Sequence, residues 1–219
     1  MSDPLAGQLV NVCCGLFLLT AVGVLSRRRV RPLITLLTVQ GLALGGIAVL
    51  LAVQGHHGEA IAVAAGVTAL KAVVIPWMLR RVDRLLPDTR QTGPLVSVSV
   101  AMLAAAGLTL LAYAAARPLV ALNPSAAARA TPVGLAVVLI GFFLAATRTR
   151  AISQIIGVLL IDNGIAAVAF LATGGVPLIV ELGVSADLTL AVLVLQILTS
   201  HLQETFGHAD LAQLRRLHD

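Results

Sequence analysis

Along the chain, long apolar runs alternate with short clusters rich in arginine, proline and glycine. Seven runs, 5–25, 32–53, 59–79, 95–116, 132–146, 152–173 and 177–200, approach or exceed the ~20 residues with which a helix crosses a ~30 Å hydrocarbon core. The fifth is the shortest. No stretch alternates polar and apolar residues with a period of two, as a membrane barrel strand does, and a helix is the other way to satisfy every backbone group in lipid. The pattern predicts an all-α polytopic membrane protein of about seven transmembrane helices, forming one integral membrane domain over 1–203. Polarity returns from Glu204. There Asp210 and Gln213 resemble a capping box, and Leu211, Leu214 and Leu217 recur every third residue, so 204–219 reads as a cytoplasmic amphipathic tail.

Composition agrees with the pattern. Of 219 residues, 58% are hydrophobic and 11% charged, with a mean hydropathy of +0.99, whereas soluble domains carry about 25% charged residues. Lipid is therefore the expected solvent. The net charge of +5 does not indicate a nucleic-acid surface, because the bases sit in short clusters between apolar runs and form no continuous basic face. Arginine placement predicts orientation instead. Arg27, Arg28, Arg29 and Arg31, Arg80, Arg81, Arg84 and Arg90, Arg148 and Arg150, and Arg215 and Arg216 fall after odd-numbered spans, against Arg117 and Arg129 after even-numbered ones. The N-terminus is thus expected outside and the C-terminus in the cytoplasm, in the inner (plasma) membrane. Trp77 and Tyr113 fall near span ends, as interfacial aromatics do.

The N-terminal run does not read as a signal peptide, since Asp3 precedes it and the arginines follow it. Adjacent Cys13 and Cys14 make neither a disulfide framework nor a four-ligand metal site, and they read as small packing residues. His56 and His57 read as a solvated outer turn. No nucleotide loop, hydrolytic triad or metal motif is present. The chain is accordingly expected to be non-catalytic and without a cofactor of its own.

Polar groups inside the spans carry the remaining information. An ionised side chain at mid-bilayer costs about 2.5–3.5 kcal/mol on insertion scales and usually serves function. Counting ~1.5 Å per residue from the nearest cytoplasmic polar residue puts Lys71 roughly 14 Å deep, Asp162 roughly 18 Å and Asp187 roughly 21 Å. Glu181 lies nearer the outer end of its span. Carboxylates and an amine at one level form the expected proton relay: Lys71, Asp162, Glu181 and Asp187. The competing reading is an internal ion pair that only positions helices. Pro76 removes the backbone donor to the carbonyl of Ala72, which predicts a kink beside Lys71. Gln40-Gly41 and Asn163-Gly164 occupy similar places, about half-way along spans that both begin in the cytoplasm. This predicts a parallel repeat of three-helix units whose first core covers 31–80.

One family shares these features. The segment Gly157-Val158-Leu159-Leu160-Ile161-Asp162-Asn163-Gly164, with Pro177-Leu178-Ile179-Val180-Glu181-Leu182-Gly183-Val184 and Asp187 after it, resembles hydrogenase-4 component E. Thr205-Phe206, Asp210 and Leu214 look like that family's cytoplasmic end, and Gln40-Gly41, Lys71 and Ile75-Pro76 agree more loosely. Component E is a membrane subunit of energy-converting nickel-iron hydrogenases and formate hydrogenlyase complexes. It is in turn similar, here over 150–203, to the small three-helix membrane subunit of respiratory complex I. The resemblance implies that Asp162 and Asp187 stand where that subunit has two intramembrane glutamates linking quinone chemistry to proton pumping. Aspartate is one methylene shorter than the usual glutamate, which changes its reach.

The resemblance further implies a non-catalytic membrane-arm subunit, with antiporter-like and quinone-site-like membrane partners and a cytoplasmic nickel-iron arm that holds the redox chemistry. Two other functions fit the same residues: a structural scaffold, and a subunit of a cation/proton antiporter complex.

Overall fold

The computed structural model describes residues 3–27, 29–54, 58–85, 96–122, 125, 127–149 and 151–174. The seventh expected span, 177–200, with Glu181 and Asp187 on it, lies outside the described residues, as do His56, His57 and the tail. Among the described residues the secondary structure is entirely helical. α1 spans Asp3–Ser26 and α2 spans Val30–Gln54. α3 (Gly58–Ala69) runs through a π turn at Leu70–Val74 into α4 (Ile75–Leu85). α5 (Val98–Ala115), the short α6 (Arg117–Leu122), a 3-10 turn at Ala128–Ala130, α7 (Thr131–Thr147) and α8 (Ala151–Thr173) follow. Six helical stretches are long and apolar enough to cross a membrane: Leu5–Ser26, Val30–Gln54, Ile61–Arg84, Val98–Ala115, Ala128–Thr147 and Ile152–Thr173.

Local chemistry sets the boundaries. Pro4, Pro32, Pro118 and Pro132 each stand within the first three residues of a helix, where a missing N–H leaves no hydrogen bond unmade. The fourth span starts three residues later than its hydropathy predicts. Ser97 caps it, its hydroxyl accepting from the Val100 N–H at 3.4 Å, so Val98 opens the helix. Ser125 accepts from the Ala128 N–H at 3.1 Å and begins the turn leading into α7. Pro76 is the exception, standing inside a span. There the sequence predicts a kink, and the structure has a widened turn in which the Ile75 N–H bonds Leu70 O. The proline ring collides with the carbonyl four residues back in a regular helix, and a π turn just ahead of it relieves that crowding.

The helices run up and down, and their contacts place the ends of α1, α4 and α7 with the starts of α2, α5 and α8. α7 and α8 pack most closely. Glycines seven residues apart on each helix, Gly134 and Gly141 against Gly164 and Gly157, meet in antiparallel register. A Cβ on Gly134 falls 3.0 Å from Gly164 O, and one on Gly141 falls 2.9 Å from Gly157 O. Lipid supplies no hydrophobic drive between helices, so close backbone approach through small residues does the work. A seven-residue period also keeps one seam in contact along a left-handed pair.

Large apolar side chains face outward as well as inward: Leu103 and Leu110 are 75% and 73% exposed, and Leu9, Leu16 and Leu19 line the outside of α1. That inverts the habit of a soluble protein and matches a surface meant for acyl chains. α4 is two-sided, with Ile75, Met78, Leu79 and Val82 buried and Trp77, Arg80, Arg81 and Arg84 outward. The Arg81 guanidinium lies 5.8 Å from the Trp77 ring centroid, a cation–π pair suited to a headgroup boundary.

Introducing a methyl at Gly141 forces α7 and α8 apart and is expected to cost about 1–3 kcal/mol, as overpacking does. Gly7, with nothing within 4 Å of an added Cβ, tolerates the same change. Thermal midpoints of Gly141→Ala and Gly7→Ala in one detergent check the contrast, with a clear fall expected only for the first.

Candidate functional site

α2, the π turn and α8 converge on a buried polar cluster. Lys71 stands on the π turn, Gln40 on α2, and Asp162 and Asn163 on α8. The Lys71 ammonium donates to Asp162 Oδ2 at 2.5 Å and to Asn163 Oδ1 at 3.1 Å. The Asn163 amide in turn donates to Gln40 Oε1 at 3.2 Å. Exposure is 1% for Gln40, 2% for Lys71, 4% for Asn163 and 9% for Asp162, so the carboxylate is the least enclosed of the four. Gln40 Nε2 is buried with no hydrogen-bond partner among the described residues. Pro76 is buried just beyond the π turn.

Each member reaches the cluster through a local cause. Gly41 lets the α2 backbone lie against the π turn, since a Cβ there falls 2.9 Å from both Lys71 C and Lys71 O. The two amide-glycine pairs noted in the sequence therefore have one physical job. Gly41 closes α2 onto the π turn, and Gly164 closes α8 onto α7, where a Cβ falls 2.7 Å from Val138 N. The neighbouring amides, Gln40 and Asn163, are in hydrogen-bond contact with each other.

Of the residues expected to act together, the structure brings together Lys71, Asp162, Gln40 and Asn163, with Pro76 adjacent. Glu181 and Asp187 lie outside the described residues. Arg148, which the sequence marks only as one of the clustered arginines, is buried, and its guanidinium donates to Leu25 O at 3.2 Å and Arg27 O at 2.8 Å. It thus caps the carbonyl end of α1, where a cation is favoured, and pins the α7–α8 connection to it. Gln154 donates back to Arg148 O at 2.9 Å. Position along the chain carried no such signal, since Arg27 and Arg80, the first arginines after two other apolar runs, are exposed. Among the described residues no group of three metal-ligating side chains gathers, and Cys13 and Cys14 are free.

Chemically the cluster holds one exchangeable pair, the ammonium and the carboxylate, extended by two amides. Amide groups donate and accept hydrogen bonds but do not readily take up a proton, so Lys71 and Asp162 are the members able to exchange one.

No family model matches the chain, and no solved structure matches it. Among curated proteins it is 44% identical over 220 residues to uncharacterized protein Rv0085 of Mycobacterium tuberculosis, the match covering 100% of each chain. It is 25% identical over 210 residues to hydrogenase-4 component E of Escherichia coli K12 and of Shigella flexneri, covering 96% of this chain and 97% of each relative. The second similarity is a distant relationship to a membrane hydrogenase subunit.

Removing one member of a buried ion pair strands the other charge and typically costs 3–5 kcal/mol. Asp162→Asn is therefore expected to lower the thermal midpoint in detergent sharply, while Lys71→Gln/Asp162→Asn, with no charge left unpaired, recovers most of the loss. Midpoints of the two variants beside the parent protein decide the point.

Proposed function

Since the chain belongs to the family of uncharacterized protein Rv0085 and is distantly related to hydrogenase-4 component E, we propose that it is a non-catalytic membrane-arm subunit of a hydrogenase-like complex that contributes to proton translocation. The observation that carries this reading is the Lys71–Asp162 pair, held at 2.5 Å inside a bundle of apolar membrane helices. Groups this costly in lipid mark ion pathways more often than plain packing. The pair sits beside a π turn, a feature frequent at functional sites.

In this reading a proton binds the slightly exposed Asp162 carboxylate and passes on to the next carboxylate of the relay, and the adjacent Lys71 ammonium stabilises the carboxylate anion that remains. Glu181 and Asp187 extend the relay, with Gln40 and Asn163 holding Lys71 in place and Pro76 holding its turn open. Partners are antiporter-like and quinone-site-like membrane subunits and a cytoplasmic nickel-iron arm, in which all redox chemistry resides. The subunit lies in the inner membrane with its N-terminus outside and C-terminus in the cytoplasm, an orientation supported by the arginines gathered at one end of the bundle. Its last residues, 204–219, form the cytoplasmic tail. In the parallel-repeat reading, Gln40 and Asn163 are equivalent positions of two three-helix units.

A second reading is favoured by one observation. The pair bridges α8 and the π turn, whose backbone α2 already touches at Gly41, so it also serves as a pin between helices.

The doubly neutral variant separates the two, because it removes the proton-exchanging groups without stranding a charge. For a relay, Lys71→Gln/Asp162→Asn assembles with its partners but loses at least tenfold in proton movement per turnover, measured by dye quenching in inverted vesicles. For a pin, proton movement recovers along with stability, and that outcome would end the relay reading.

A further inference from the structure

A second feature lies at the opposite end of the bundle from the arginine clusters and is independent of the buried pair. A groove of about 370 Å³ opens between α1, α5 and α7, lined by Asn11, Gly15, Leu18, Tyr113, Arg129 and Val133 among others. Its lining is graded along the membrane normal. Counting ~1.5 Å per residue from the end that carries Ser26, Val98 and Thr147, Leu18 stands at roughly 12 Å, Gly15 at roughly 17 Å, Asn11, Tyr113 and Val133 at roughly 21–23 Å, and Arg129 at roughly 27 Å. In a ~30 Å core this puts a guanidinium at the mouth, a phenol and an amide just below it, and apolar wall at depth. Arg129 and Tyr113 are exposed, and no described carboxylate is paired with Arg129. The floor is open as well, since a Cβ added at Gly15 meets nothing within 4 Å.

We propose that this groove is a binding site for an anionic phospholipid, its phosphate on Arg129 and one acyl chain descending past Gly15 toward Leu18. Guanidinium is the side chain best matched to phosphate, offering paired donors in a plane. Tyr113 and Asn11 stand roughly 5 Å below Arg129 along the membrane normal, on the side toward which the ester carbonyls of a lipid anchored by its phosphate extend. The order of the lining, cation then polar then apolar, is that of the lipid itself. A free phosphate would use only the mouth and leave the apolar depth without a role.

The test uses the full chain, stripped of lipid in an uncharged detergent and examined by native mass spectrometry with added phosphatidylglycerol or phosphatidylcholine. The expected result is about tenfold preference for phosphatidylglycerol, in line with one charge-assisted contact. Arg129→Gln should bring that preference to near unity while Arg117→Gln leaves it intact. Gly15→Leu, which fills open space without meeting the backbone, should abolish retention of both lipids. Three results would overturn the proposal: an undiminished preference in Arg129→Gln, equal losses in Arg117→Gln and Arg129→Gln, or retention in Gly15→Leu equal to the parent's. Inorganic phosphate alone, added in the same concentration range, should not displace the lipid; displacement would assign the site to a free anion instead.

Discussion

A lysine and an aspartate can both stay charged between lipid-embedded helices only if they touch, because no water stands ready to solvate either one. That constraint on Lys71 and Asp162 organises the centre of this protein. The ammonium is delivered from the π turn and the carboxylate from α8, and both elements pack against α2. The same shortage of water explains the amides around them. Asn163 faces Lys71 with its oxygen and Gln40 with its nitrogen, an orientation that satisfies two neighbours at once. The remaining buried donor, Gln40 Nε2, stands at the outer margin of this network.

Bringing three helices to one point demands that their backbones close up without the hydrophobic effect that draws helices together in water. The chain meets that demand with glycine. Gly41 lets α2 settle on the π turn, and the four glycines of the α7–α8 seam bring those helices to near backbone contact over one heptad. Large apolar residues also face outward, where Leu103, Leu110 and leucines of α1 meet lipid. Packing and polarity are therefore coupled: the seam fixes α8, and α8 carries both Asp162 and Asn163.

The arginines show how one residue type divides by context. Arg80, Arg81 and Arg84 point away from the bundle beside Trp77, at home in a headgroup layer. Arg148, at the same end, turns inward and satisfies the last carbonyls of α1. Charge asymmetry across the membrane and mechanical closure of the bundle thus draw on the same cluster. At the other end, sparsely supplied with arginine, Arg129 lines a groove whose deeper wall includes Gly15 and Leu18.

The membrane-spanning helical architecture was legible from hydropathy alone, because every backbone group in lipid must be bonded within its own helix and length then follows from membrane thickness. The six apolar stretches described here match the first six expected runs, differing mainly at their ends, where caps such as Ser97 decide. Lys71, Asp162, Gln40 and Asn163 could be singled out because polar residues in apolar runs are conspicuous. Which of them touch was beyond any reading along one dimension: Lys71 and Asp162 stand 91 positions apart, and a helix presents only part of its circumference to any neighbour. The π turn in place of a simple kink, the inward turn of Arg148 and the pairing of glycines across α7 and α8 were likewise decided in three dimensions. Sequence determines what each helix must bury and what it can show to lipid; only the packed bundle determines which neighbour receives it, since that depends on approach distances set jointly by residues from separate helices.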